Sequence, residues 1–113
     1  MKVSYEKNIL IIGEKKIVFS DMIYQIKEES NKIYVLLDIN PKETLSYNDY
    51  HNVYCYSVDG IKLWQIGKRP KGDSAVFTMI NIDEFYLYAN DFLGRRCLVN
   101  KNNGNIEGMT ISK

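Results

Sequence analysis

Residues 52–67 read Asn52-Val53-Tyr54-Cys55-Tyr56-Ser57-Val58-Asp59-Gly60-Ile61-Lys62-Leu63-Trp64-Gln65-Ile66-Gly67. Two runs of β-branched and aromatic residues flank Asp59-Gly60, a strong short-range hairpin signal. In a two-residue type I′ hairpin Val58 faces Ile61, which sorts the ribbon into two faces. One face collects Tyr54, Tyr56, Val58, Ile61, Leu63 and Gln65; the other collects Val53, Cys55, Ser57, Lys62, Trp64 and Ile66. Both are largely apolar, whereas a ribbon with one wet side alternates apolar with polar. The hairpin is therefore expected between two layers, or against a partner.

Strand signals continue on both sides of it. Residues 2–6, 9–12, 17–19, 22–28 and 32–38 alternate or run apolar between turn residues, and read as an N-terminal meander over residues 1–38. Met22, Ile23 and Ile26 also have helical spacing, but the β-rich surroundings favour a strand. Asn40-Pro41 ends the fifth segment, because proline removes a ladder donor and restrains the residue before it. Residues 41–51 read as a long polar loop with room for a helical turn at 42–45. After the hairpin, residues 67–74 form a second loop, and further strands are expected at 75–82, 85–90, 95–100 and 105–111. The fold class is all-β, an antiparallel meander arranged as two packed sheets or as two propeller-like four-stranded blades. Residues 1–113 form a single β domain, with 52–111 as two repeat-like hairpin units.

Composition fits one ordinary globular domain: 113 residues, 45% hydrophobic and 26% charged. The longest apolar run, residues 9–12, is far short of the roughly 20 residues of a membrane span. The opening residues lack a secretory signal pattern, so the expected location is cytoplasmic. Without that signal, Cys55 and Cys97 are expected as reduced core thiols. The net charge of +1 gives no global attraction to nucleic acid or anionic membrane. The first 60 residues carry seven lysines against nine acids, and the remainder eight basic residues against five acids. Abundant Ile, Asn, Lys and Tyr with three arginines is the composition of an AT-rich, plausibly bacterial, gene.

No catalytic, cofactor or metal constellation stands out. His51, the one histidine, reads as a surface loop residue rather than a general base beside Asp49. One histidine and two distant cysteines do not make a zinc site. Gly104 reads as a turn glycine, since no helix follows it to hold a phosphate. The basic clusters 68–71 and 95–96 read as solvated turns and a guarded edge, with phosphate binding as the alternative. Glu43, Tyr47, Asp49, Tyr50 and Asp73 supply acidic and aromatic loop groups suited to meeting a basic protein surface.

Residues 52–64, with Tyr54, Gly60 and Trp64, resemble the repeat of PQQ-type β-propeller blades. Residues 85–90, 96–100 and 102–106 resemble a second copy. Setting Gly60 on Gly104 with a two-residue insertion brings Cys55 onto Cys97. The second copy has Glu107-Gly108 where the tryptophan belongs, and two blades cannot close a ring, so no quinone site is carried over. In size, composition and repeat style the chain is also similar to small bacterial proteins of toxin–immunity loci, including contact-dependent growth inhibition. That resemblance implies a non-enzymatic protein that binds a cognate toxin and neutralises it by occluding its active site; if the toxin is a nuclease, acidic loop residues would stand in for phosphate. A nucleic-acid-binding β domain and a structural or homodimeric β module are the alternatives.

Overall fold

The computed structural model describes residues 2–70 and 72–111. Eleven strands form three antiparallel sheets, each a simple up-and-down meander. The first holds β1 (Val3–Glu6), β2 (Ile9–Ile12) and β3 (Lys15–Val18). The second holds β4 (Met22–Glu29), β5 (Lys32–Asp38), β6 (Val53–Ser57) and β7 (Lys62–Gln65). The third holds β8 (Phe77–Ile82), β9 (Tyr86–Asp91), β10 (Arg95–Asn100) and β11 (Ile106–Ile111). One short helix, α1 (Tyr47–Tyr50), lies in the loop between β5 and β6. It starts a few residues later than the turn expected at 42–45, because Ser46 and Asp49 form a reciprocal capping box there.

The all-β antiparallel fold read from the sequence is the fold observed. The N-terminal meander divides, however: residues 22–38 join the hairpin strands, and the first three strands make a third layer. The reason lies in β5 and β6. Tyr34, Leu36, Val53, Cys55, Trp64 and Ile66 face Phe77, Ile80, Leu87, Ala89, Cys97 and Val99 of the third sheet. Ile33, Val35, Leu37 and Tyr56 face Leu10, Ile12 and Phe19 of the first. A sheet apolar on both sides needs cover on both, and residues 9–12 supply the second cover. Each fully buried aliphatic or aromatic side chain in these two cores contributes about 1.5–3 kcal/mol.

The hairpin itself departs from the two-residue turn. Ser57 and Ile61 close a three-residue loop, with Ser57 N donating to Ile61 O at 2.8 Å and Gly60 N to Ser57 O at 3.0 Å. Gly60 is left-handed (φ 82°) while Asp59 is not, whereas a type I′ turn needs both; this is the type I turn followed by a left-handed glycine. The register then slips between Cys55 and Tyr56, so that Tyr56 faces Lys62. The slip turns Ile61 and Leu63 to solvent. Both sides of β6 are therefore covered, but only one side of β7 is. The second side of β6 is occupied by residues 9–19.

The second and third sheets repeat each other. β4 and β8 each carry a bulge after their first buried residue, at Tyr24 and at Thr78. Counting ladder pairs from those bulges puts Leu37 with Asp91, Val35 with Ala89, and so Tyr54 with Cys97. Cys55 corresponds to Leu98, not to Cys97. The loop 101–104 is one residue longer than 58–60, not two, and a one-residue difference in register reverses the face on which a side chain lies.

Candidate functional site

Three loops meet at one end of the sheets: residues 39–52 between β5 and β6, residues 66–70 and 72–76 between β7 and β8, and residues 92–94 between β9 and β10. They are locked together by charge. The Arg69 side chain is fully buried, as is that of Asp91. Arg69 Nη1 donates to Asp73 Oδ1 at 3.1 Å, Nη2 donates to the Ala75 carbonyl, and the guanidinium carbon lies 3.9 Å from the Phe77 ring centre. Its Nε has an ionic contact at 3.4 Å with Asp91 Oδ2, too long to count as a hydrogen bond.

Asp91 also organises its own turn. Its Oδ1 accepts from Leu93 N and Arg95 N, each at 3.0 Å, and its Oδ2 accepts from Arg95 Nε at 2.8 Å. Arg95 Nη2 continues to Ser74 Oγ at 2.8 Å. Two guanidinium groups thus face two carboxylates, and the cluster balances without a partner. Such an arrangement suits a rigid platform, since each buried charge is held by the others.

His51 is fully buried, in contrast to the surface position expected for it. Its Nε2 lies 2.6 Å from Asp73 Oδ2 and its ring centre 3.9 Å from that of Tyr47; its Nδ1 has no hydrogen-bond partner. Burial works to raise the Asp73 pKa, but hydrogen bonds from His51 and Arg69 outweigh it and hold the carboxyl below its ordinary value. The carboxylate is then the acceptor and His51 Nε2 carries the proton. Proximity of a loop to a second loop, which sequence spacing does not encode, is what draws the imidazole inward.

The five loop residues singled out by sequence fall into two groups. Asp49 is buried, where it accepts from Ser46 N at 2.8 Å and meets Lys42 Nζ at 3.3 Å. Burial opposes its ionisation, yet those contacts keep its pKa lowered. Asp73 is tied to His51 and Arg69 as described. Both acids are engaged in contacts within the fold. Glu43 is exposed, Tyr47 is exposed above His51, and Tyr50 is half-buried. The basic clusters divide in the same way: Arg69 and Arg95 belong to the internal network, Lys68 and Arg96 remain exposed, and Lys71 lies outside the described residues.

What the sequence reading missed is apolar. Phe92 and Leu93, at the tip of the Asp91 turn, are 76% and 59% exposed. Beside them is a cleft of about 310 Å³ lined by Ile39, Pro41, Leu45, Val76, Phe92 and Leu93. A second cleft of about 340 Å³ shares Ile39, Pro41, Val76 and Phe92 with it and extends to Tyr24. The signal available was the pattern Asp91-Phe92-Leu93-Gly94: two large apolar residues at a turn tip, where polar ones are usual.

The opposite end carries a wider hollow, about 640 Å³, between Glu29, Lys32, Phe85 and Lys101. There Lys101 Nζ lies 2.8 Å from Glu29 Oε2, Tyr34 OH donates to Glu29 at 2.7 Å and Lys32 Nζ donates to Lys101 O at 3.1 Å. The two cysteines are free and buried; burial pushes the Cys55 thiol up to about 12 and raises that of Cys97 as well. Neither is a thiolate nucleophile at neutral pH. Among the described residues no helix is long and apolar enough to cross a membrane.

A comparison with curated proteins found no match. Residues 1–111 match the family model described as domain of unknown function DUF7957. The chain accordingly belongs to the DUF7957 family, and its sheets of three, four and four strands with the loop platform above them describe that family's fold in this member.

Proposed function

We propose that this protein acts by stoichiometric binding of another protein, as an immunity protein does when it covers the active domain of a cognate bacterial toxin in the cytoplasm. The observation that carries the reading is the exposed Phe92-Leu93 pair beside the Ile39, Pro41 and Leu45 cleft, on a turn held by Asp91 and Arg95. An aromatic anchor on a pre-ordered turn loses little conformational freedom when a partner covers it. Glu43 and Tyr47 extend the same end as a polar and aromatic rim. Because Asp49 and Asp73 are neutralised internally, attraction comes from apolar burial with Glu43 at its edge, not from a row of acids imitating phosphate. The toxin class rests on the resemblance in size, composition and repeat style.

The test is titration calorimetry against the toxin domain encoded beside this gene, paired with rescue of growth on co-expression. A one-to-one complex is expected, and Phe92→Ala with Leu93→Ala should weaken it by about 10–100-fold while the thermal unfolding curve stays in place. Absence of any such neighbouring domain, or no binding at tens of micromolar, contradicts the proposal.

A further inference from the structure

The two four-stranded sheets begin with β4 and β8, and both of those outer edges are closed by the preceding sheet. Ile23 N donates to Lys7 O at 2.8 Å at the start of β4. Gln25 exchanges two hydrogen bonds with Ile80, and Asn52 two with Phe77, closing β8. Among the described residues the first sheet has no strand of this kind. Its turn glycine Gly13 (φ 61°) matches Gly60 and Gly104, so β1 stands where β5 and β9 stand, and β2 is its one neighbour among the described residues.

The direction of the free backbone groups follows from the ladder. Gly13 N donates to Lys2 O at 3.0 Å, and Ser4 faces Ile11 while Glu6 faces Ile9. In an antiparallel pair the residues bonded to a neighbour alternate. Lys2, Ser4 and Glu6 therefore bond inward to β2, and Val3 and Tyr5 present N–H and C=O to the open side. A second strand can bond there only by setting its own outward residues against Val3 and Tyr5.

We infer that β1 pairs with β1 of a second copy across a two-fold axis through Ser4. In that register Val3 faces Tyr5 of the other copy, giving four backbone hydrogen bonds from the two symmetric pairs. Ser4 faces Ser4, and Lys2 faces Glu6 twice over. Of the registers that satisfy the outward groups, charge favours this one, since opposite charges directly across an antiparallel pair attract. A two-fold centred on Val3 or Tyr5 keeps the bonding pattern but loses the Lys2–Glu6 match; one centred between residues sets bonded against unbonded groups. The result is a continuous six-stranded sheet of the isologous kind. β3 and β7, by contrast, carry lysines at their edges (Lys15, Lys16 and Lys62), which repel an added copy.

Sedimentation equilibrium of the untagged chain up to about 1 mM, with exchange of the Val3 and Tyr5 amides, tests this. A concentration-dependent dimer is expected, with those two amides slowing as dimer forms. Lys2→Glu and Glu6→Lys should each weaken it by about 10-fold or more, and the double variant Lys2→Glu/Glu6→Lys should restore it. Both residues are exposed, so the variants fold. A monomer throughout the range, or single and double variants with equal dissociation constants, overturns the inference.

Discussion

Gly104 and Gly60 occupy matching turns, both left-handed, yet their surroundings differ. A Cβ on Gly104 would lie 2.6 Å from Trp64 Cε3 and 3.1 Å from the Gln65 carbonyl oxygen. On Gly60 it would meet Lys15 Cδ at 2.5 Å, the middle of a flexible side chain that can swing away. Both substitutions to alanine incur the left-handed cost of about 1–2 kcal/mol; only Gly104→Ala must also displace a buried indole. Gly104→Ala is expected to lower the urea midpoint clearly more than Gly60→Ala and to change Trp64 fluorescence, and equal losses would contradict this account. Asp91→Asn is the severe charge change at this scale. It leaves Arg69 and Arg95 short of a carboxylate in a dry site, and breaking such a buried pair costs about 3–5 kcal/mol. Chemical denaturation measures it, and a loss under about 1 kcal/mol would refute the network's structural role.

At the scale of the element, β8 is the informative strand. Its outer edge has no strand beside it, and two side chains of the second sheet complete its hydrogen bonds. Asn52 donates from Nδ2 to Phe77 O and Leu37 O, each at 2.8 Å, and accepts from Phe77 N at 3.0 Å. Asn52→Ala strands those groups in the core, at about 1–3 kcal/mol for each one left unpaired. Hydrogen exchange should show the Phe77 amide losing protection, while the Cys97 and Val99 amides inside the same sheet lose only what global stability loses. Uniform loss along the sheet would mean that Asn52 fills space and does not clamp an edge.

For the whole molecule, the consequence is acid sensitivity. Asp49, Asp73 and Glu29 all titrate below their ordinary values: burial works against ionisation in each, and hydrogen bonds together with nearby basic groups prevail. A carboxylate with a folded pKa below its unfolded one contributes stability that is fully present above the unfolded value, near 4, and is lost as pH falls through the folded value. The urea midpoint should hold steady from about pH 7 to pH 5 and fall below about pH 4. Asp49 and Asp73 both anchor the loop end, so that end should loosen first, visible as early loss of order at Tyr47 and His51. A midpoint unchanged down to about pH 3 would show that these contacts do not favour the folded state.

Local patterning alone determined the strands. The β-branched and aromatic runs at residues 32–38 and 52–57, turn glycines at 60 and 104 and the break at Pro41 need only neighbours in sequence, since backbone preference acts over a few residues. The doubly apolar hairpin further required cover on two sides of β6. Tertiary structure decided where that cover came from, which face each cysteine took and what became of the loop charges. Asp49, Asp73, Arg69 and His51 look like surface residues in sequence because each is polar and lies among polar neighbours. His51 and Arg69 are buried because loops 22 residues apart bring them against Asp73 and Asp91, and Asp49 because Ser46 and Lys42 of its own loop hold it; the energy of such pairing depends on distance in space, which one residue of register or turn length is enough to change.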